Sequence, residues 1–317
     1  VPAGKRNGYQ NMIGNFNGLT GPSASGVAIN AFTLNLPLPF FYSRDSGVAL
    51  PTAALPYNEM RINFSFRNWS DLLILDDIAN DLRIVPVVPT DIASEPVLGT
   101  TQVWANYAIV SNDERKRMAC APRDILIEQV QTAPRQTLSP ATVPQPSYDI
   151  RFSHAIKVLF FSVRNRTYAN EWSNYMTRSP VDGGAVVNFT PPGSADPILQ
   201  TSLIYENTNR LAQMGSDYFS LVNPYYHAPV IPLETGYHSY SYSLDFICLD
   251  PMGSTNYGKL TNVSIVPEAS NDAITVATTA QGAGSGASVV QTYEFIITAV
   301  NNNIIRISGG ALGFPVL

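Results

Sequence analysis

Three histidines, two cysteines and scattered carboxylates are the raw material for any reaction centre in this chain of 317 residues. His154, His227 and His238 share no short spacing, so they form no H-E-x-x-H metal pair and no two of them can act as neighbours on one element. They are expected to be packed or hydrogen-bonded structural residues. No serine lies in G-x-S-x-G, and Gly282, Gly284 and Gly286 match neither a dinucleotide fingerprint nor a phosphate loop with its lysine. Those glycines read as a flexible loop. Asp71, Asp76, Asp77 and Asp81 lack the alternating spacing of a calcium loop and read as solvated loop acids. No catalytic residue, metal site or cofactor is expected, and the chain is read as a non-enzyme.

Cys120 and Cys248 are far apart and outside any C-x-x-C, which makes them plain reduced thiols of open state rather than a disulfide framework. Sequons occur at Asn63, Asn68, Asn165, Asn188 and Asn262, about as many as chance supplies in a chain rich in Asn, Ser and Thr. Asn188, in a long loop, is the best-placed acceptor among them; Asn63 and Asn68, on or beside a strand, are poor ones. The aromatic segment 237–242 offers a sugar-stacking platform, but alternate tyrosines also build sandwich cores, and the core reading is preferred. A carbohydrate-binding β-sandwich module is therefore the alternative function, and a β-sandwich hydrolase ranks below it for want of motifs.

Charged residues make up only 14% of the chain, against about 25% in ordinary soluble proteins. A surface polar through Asn, Ser, Thr and Tyr, or one covered by partners, is implied. The net charge of -5 removes the driving force for gripping phosphate backbones, so direct nucleic-acid binding is not expected. No apolar run approaches the roughly 18 to 20 residues of a membrane span; the best, 156–163, carries Lys157 and Ser162. The chain opens on Val1 without a signal-like apolar stretch, and is expected to be a fragment or processed product.

The elements that must position these residues are strands. Residues 60–67 put Met60, Ile62, Phe64 and Phe66 on one face and Arg61, Asn63, Ser65 and Arg67 on the other, a half-buried strand. The alternation returns at 238–248, with His238, Tyr240, Tyr242, Leu244, Phe246 and Cys248 in phase. Further strands are expected at 103–110, 125–131, 156–164, 202–205, 263–266, 293–300 and 304–307. One short helix is signalled by Ser111 and Glu114 as a capping box, with Pro122 beyond its end. Long loops are expected at 76–101, 132–147, 181–197 and 268–288. A weak repeat aligns 38–42 and the strand at 60–67 with 218–222 and the strand at 238–248, which suggests two copies of one unit. The half before residue 111 holds only about four of these strands, too few to close a sandwich.

The stretch 36–71, LPLPFFYSRDSGVALPTAALPYNEMRINFSFRNWSD, resembles the major capsid proteins of nucleocytoplasmic large DNA viruses in its S-R-D-S-G, A-L-P and L-P-Y-N-E blocks. The likeness continues through NDERKRM at 112–118, IEQVQ at 127–131, GSTNYG at 253–258, NIIRI at 303–307 and GFP at 313–315. It is nearest the iridovirus and ascovirus branch, given NMIGN at 11–15 and the ending GFPVL; where many relatives place a Cys before Asn256, this chain departs with Gly253, Ser254 and Thr255. The resemblance implies an all-β double jelly roll: two consecutive eight-stranded antiparallel β-sandwiches, the first truncated at its N-terminus. It implies residues 1–111 as the C-terminal part of the first jelly roll, 112–122 as a helical linker and 123–317 as the second. It also implies a structural protein of the virion, assembled in the host cytoplasm. Homotrimers would form pseudo-hexagonal capsomers of an icosahedral capsid, meeting neighbouring capsomers, minor capsid proteins and an internal viral membrane.

Overall fold

The computed structural model describes residues 3–14, 31–77, 82–86, 88–167, 173–177, 195–232, 235–279, 281–282 and 288–315. After helix α1 (Arg6–Met12) come the paired strands β1 (Ile74–Asp77) and β2 (Leu82–Pro86), then helix α2 (Asn112–Cys120). The N-cap half of the capping box forms: the Ser111 hydroxyl accepts the Glu114 N–H at 3.3 Å, and acidic residues lie in the first turn while Arg117 lies in the last. Strands β3 (Arg123–Thr132), β4 (Gln136–Leu138), β5 (Tyr148–Asp149), β6 (Ala155–Asn165), β7 (Ile198–Tyr205) and β8 (Thr208–Gly215) follow. Then come a π-turn (Tyr218–Val222) running into α3 (Asn223–His227), β9 (His238–Ser241), β10 (Thr255–Asn256), β11 (Val263–Ala269) and α4 (Asn271–Thr278). The last elements are the small pair β12 (Gln281–Gly282) and β13 (Ser288–Val289), the long β14 (Tyr293–Ser308) and β15 (Ala311–Gly313).

Two sheets face each other, with every ladder antiparallel. In one, β14 is central, flanked by β3 and β4 on one side and by β6 and β15 on the other, with β9 and β10 beyond β6. The other runs β5-β11-β7-β8. The chain changes sheet at almost every long connection, β7–β8 being a hairpin, and its first and last long strands lie side by side: a jelly-roll winding. Between the sheets the core holds Ile156, Leu159, Phe161 and Val163 of β6 and Phe295 and Ile297 of β14 together with Leu203, Val263 and Ile265 of the other sheet. The β7–β8 turn places Glu206 and Asn207 at φ 49° and 61°, the left-handed pair that matches strand twist in a two-residue hairpin.

The strands expected from 125 onward lie in β3, β6, β7, β11 and β14, the last fusing 293–300 with 304–307 into sixteen residues. Three strand expectations fail, two outright and one in part. Neither 60–67 nor 103–110 joins a ladder, and most of their apolar side chains are exposed, with Trp104 at 89% and Ile109 at 94%. Phe64 and Phe66 still stack at 6.3 Å on one side, so the alternation is real. What is missing among the described residues is a neighbouring strand to pair with. At 238–248 the ladder stops at Ser241, because Leu244 N–H turns to the Met252 carbonyl and the Leu244 side chain leaves the core. Of the aligned repeat, 218–222 is helical rather than extended. The expected loop at 268–288 contains α4, begun by Ser270, whose hydroxyl accepts the Ala273 N–H. Of the acids read as a loop, Asp76 and Asp77 fall in β1, while Asp81 and most of 181–197 lie outside the described residues.

Gly236 has φ +90°, and a Cβ there would stand 2.1 Å from the Tyr175 carbonyl oxygen. Gly236→Ala is therefore expected to cost more than about 2 kcal/mol in urea unfolding, whereas Gly99→Ala, with nothing within 4 Å, stays within about 0.5 kcal/mol. Equal effects of the two would contradict the backbone contact.

Candidate functional site

Strand β14 organises the molecule's seam. Its odd-numbered residues are buried from Tyr293 to Ile307. Tyr293, Phe295, Ile297 and Ala299 face the sandwich core, whereas Ile305 and Ile307 pack with Ile125, Ile127, Val48 and Ala54 in a second apolar cluster. Phe41, Leu55, Met118, Leu249 and Leu312 close around that cluster, so the segment 41–55 and helix α2 are fixed to the end of β3 and β14. Between the two clusters lies a belt of amides. Gln131 Nε2 donates to Asn301 Oδ1 at 2.8 Å and to the Ser153 carbonyl at 2.8 Å, its Oε1 accepts the Ser153 N–H, and Asn303 Nδ2 donates to Gln129 Oε1 at 2.9 Å. Buried amides of this kind are affordable only when paired, and pairing here fixes the β3–β14 register.

Glu128 alternates to the opposite side of β3 and gathers two cations. Arg44 Nη1 donates to its Oε2 at 2.5 Å, and Lys157 Nζ to its Oε1 at 2.5 Å. Lys157 is completely buried and donates also to the Cys248 carbonyl at 2.7 Å, while Arg44 reaches the Ile247 carbonyl at 3.0 Å. A β-bulge explains how a lysine is aimed there. Val300 pairs with Val158 but Asn301 pairs with Ile156, which leaves Lys157 as the extra residue of β6. Ile156 and Leu159 can then both face the core while Lys157 is turned away. At the far end, Arg306 forks onto Asp124 at 2.6 Å through both nitrogens; this hydrogen-bonded guanidinium holds the Asp124 carboxyl below the usual carboxylate range.

These contacts give physical roles to the quoted blocks. In S-R-D-S-G, Arg44 supplies the ionic arm and the Asp45 carbonyl accepts the Val48 N–H. In L-P-Y-N-E, Leu55 packs on the second cluster and Asn58 Oδ1 accepts the Leu312 N–H at 3.3 Å. Gly310, at φ +83°, lies so close to the Tyr57 ring that a Cβ would come within 2.9 Å. The Arg44–Glu128–Lys157 centre and the bulge are what reading the sequence missed; a lysine inside an apolar strand run was the available signal.

His238, Asp196 and Ser216 meet in the interior. His238 Nε2 lies 3.0 Å from Asp196 Oδ2 and 2.9 Å from Ser216 Oγ, and the serine hydroxyl donates to that same carboxylate oxygen at 2.5 Å. An acyl-transfer triad needs the acid on Nδ1 and the serine on Nε2. Here both crowd one nitrogen and the serine proton is already committed, so the cluster ties 196, 216 and 238 together and activates nothing. Burial alone would raise the Asp196 pKa, but His238, the Ser216 hydroxyl and the Ile198 N–H outweigh it and hold the carboxyl below its ordinary range. His227 Nδ1 lies 3.0 Å from the Leu244 carbonyl, and the His154 carbonyl accepts the Tyr257 N–H. Tyr240 is buried, and the hydroxyls of Tyr205, Tyr242 and Tyr257 form an inward knot. Asn165 is buried and donates to the Met176 carbonyl, which leaves it no room for a glycan; Asn63, Asn68 and Asn262 are exposed, and Asn188 lies outside the described residues. Cys120 is exposed and Cys248 half-buried, both as free thiols.

Lys157→Met strands Glu128 with only its half-exposed partner Arg44, and a loss of about 3–5 kcal/mol in urea unfolding is expected. Adding Glu128→Gln removes the orphaned charge and recovers part of that loss; a double variant no better than the single would contradict the ionic account. Asp196, with its depressed pKa, contributes stability that is complete above the ordinary carboxylate value of 3.8 and disappears as pH falls through the lower native value. Asp196→Asn should thus cost about 1–3 kcal/mol at neutral pH. The gap to the unaltered protein should close on acidification below that range, measured as melting temperature against pH.

Comparison with known proteins bears on this seam. Residues 114–313 match the family model described as large eukaryotic DNA virus major capsid protein, and residues 1–110 match that of the major capsid protein N-terminus. The major capsid protein of Costelytra zealandica iridescent virus is 66% identical over 324 aligned residues, covering 100% of this chain and 70% of that protein. That of Wiseana iridescent virus is also 66% identical, covering 98% of this chain and 65% of the relative, and that of lymphocystis disease virus 1 is 50% identical over 99% and 68%. The chain thus spans about two thirds of the length of these relatives. Among solved structures, the PBCV-1 virus capsid quasi-atomic model superposes with a TM-score of 0.67 at 18% identity, over 100% of this chain and 76% of that one. A fold shared at that level, a family model spanning the sandwich and relatives this similar along the whole chain lead to one assignment: the chain belongs to the major capsid protein family of large eukaryotic DNA viruses.

Proposed function

We propose that this chain is wall material: a non-enzymatic shell protein, three copies of which associate into a pseudo-hexagonal capsomer of an icosahedral capsid. Residues 1–111 belong to a first jelly-roll module, 112–122 form the linker helix and 123–317 form the second module. The modules are joined through the Arg44–Glu128–Lys157 centre and the apolar cluster beside it. Neighbouring capsomers, minor capsid proteins and an internal membrane are the surfaces the block meets, assembly takes place in the host cytoplasm, and the acidic chain does not grip the genome.

The observation that carries this reading is the surface. Tyr225, Tyr226, Leu244, Ile247 and Met252 of the second sandwich are large, apolar or aromatic, and exposed. Scattered single hydrophobics are ordinary, but runs of them on a charge-poor chain are the composition of a surface that becomes an interface core. Shell contacts repeated by symmetry need many modest buried patches rather than one deep pocket.

Electron microscopy of the purified full-length product tests the proposal. Particles of threefold symmetry and hexagonal outline are expected; a monodisperse monomer at all concentrations would overturn it.

A further inference from the structure

Glu294 lies near the start of β14, with Thr137 of β4 as its cross-strand neighbour on one side and Arg164 of β6 on the other. Its side chain is only 5% exposed, yet three guanidiniums surround it. Arg164 Nε is 2.7 Å from Oε1, Arg135 Nη1 is 3.4 Å from the same oxygen and Arg166 Nε is 3.4 Å from Oε2. Among the described residues one carboxylate, Glu294, faces these three cations, on a chain whose net charge is -5. The cations also disfavour one another: burial and the charges of Arg135 and Arg166 push the Arg164 pKa down against the pull of Glu294.

Arg135 and Arg166 differ from Arg164 in exposure. Their side chains are 53% and 55% exposed, against 14%. Each meets Glu294 through a single long contact, and a guanidinium carries five N–H donors in a planar fork, so most of their donors face outward. They are nevertheless held together. Arg135 follows the turn between β3 and β4, where the Ala133 N–H donates to the Ile297 carbonyl at 3.1 Å, and the Arg166 N–H donates to the Thr292 carbonyl at 2.7 Å. Two like charges that would diverge in water are fixed on one anchor by backbone hydrogen bonds on both sides, which lowers the entropic cost of adding an anion between them. Forked donors of this type suit the oxygens of sulfate and phosphate groups.

We propose that Arg135 and Arg166, anchored by Glu294, form a binding site for a tetrahedral oxyanion, a sulfate or phosphate group, at the end of the second sandwich away from the module seam. The anion occupies donors of Arg135 and Arg166 that Glu294 does not take. The group can come from free inorganic phosphate or from a sulfate ester on a polysaccharide.

The test uses the full-length protein. Calorimetric titration with inorganic phosphate, against chloride at equal ionic strength, should show saturable binding that falls roughly tenfold or more in Arg135→Ala/Arg166→Ala. Glu294 keeps Arg164 at 2.7 Å in the double variant, and titration below the variant's own melting transition, measured in chloride, separates lost binding from lost folding. A second arm measures retention on a sulfated polysaccharide column in matched salt. Retention abolished by the double variant identifies an ester as the source, and phosphate binding without retention identifies the free ion; either supports the site. Phosphate indistinguishable from chloride, or binding undiminished in the double variant, overturns it. Neither outcome touches the trimer proposal, which rests on particle shape.

Discussion

One strand with one buried face holds this molecule together. Over its sixteen residues β14 turns the same side inward throughout, and that side belongs to two cores in succession. Strands of this length are unusual, since five or six residues is the common size, and a strand three times as long has to find cover beyond the sandwich that nucleated it. The cover comes from 41–55 and α2. Because side chains in a strand alternate with period two, a one-residue slip would expose both clusters at once, so the register of β3 on β14 is a condition for both cores. The amide belt of Gln129, Gln131, Asn301 and Asn303 stands where apolar packing hands over from one core to the other, and its bonds can be made in only one register.

The ionic centre depends on that same register. Glu128 stands opposite Asn302, and only the bulge at Lys157 brings an ammonium to it from the strand on the far side of β14. A fully buried lysine costs several kcal/mol in lost hydration, recovered through a carboxylate and a backbone carbonyl. Buried ionic groups of this kind add little net stability over apolar side chains of similar volume; what they add is direction. Arg44, Glu128, Lys157 and the carbonyls of Ile247 and Cys248 belong to four separate stretches of chain, and the set is satisfied only when all four are in place.

Much of the sandwich was legible because its inner strands bury β-branched and aromatic residues. β6 and β14 are read directly from runs such as Val158 to Val163 and Phe295 to Val300. β8, Thr-Asn-Arg-Leu-Ala-Gln-Met-Gly, was not: it is an edge strand without a fully buried residue, and its place is set by the turn at Glu206 and Asn207. Helix α4 was hidden because Asn271, Asp272 and three threonines or valines are poor helix formers, so Ser270 as cap and Ala273 packed in the core decide it. At 60–67 and 103–110 the opposite error occurred. Alternation states what a strand would show on each face, but a ladder also needs a partner, which alternation does not report. The seam was visible only as motif residues; that Arg44 meets Glu128, 84 positions away, follows from topology and not from any local pattern.

Charge is distributed to the same end. Arg44, Lys157, Arg164 and Arg306 are engaged in ion pairs within the second sandwich or at its seam, and charged residues are only 14% of the chain. A surface of tyrosine, serine and exposed aliphatic side chains carries little desolvation penalty when a second surface closes on it, whereas lysines and glutamates would have to be stripped of water or paired one by one. The residual -5 is felt between molecules only over about 8 Å at physiological ionic strength. Repulsion between copies therefore acts late in their approach, when apolar contacts such as those offered by Tyr225, Tyr226 and Leu244 are already forming, and short-range complementarity rather than net charge decides which copies stay together.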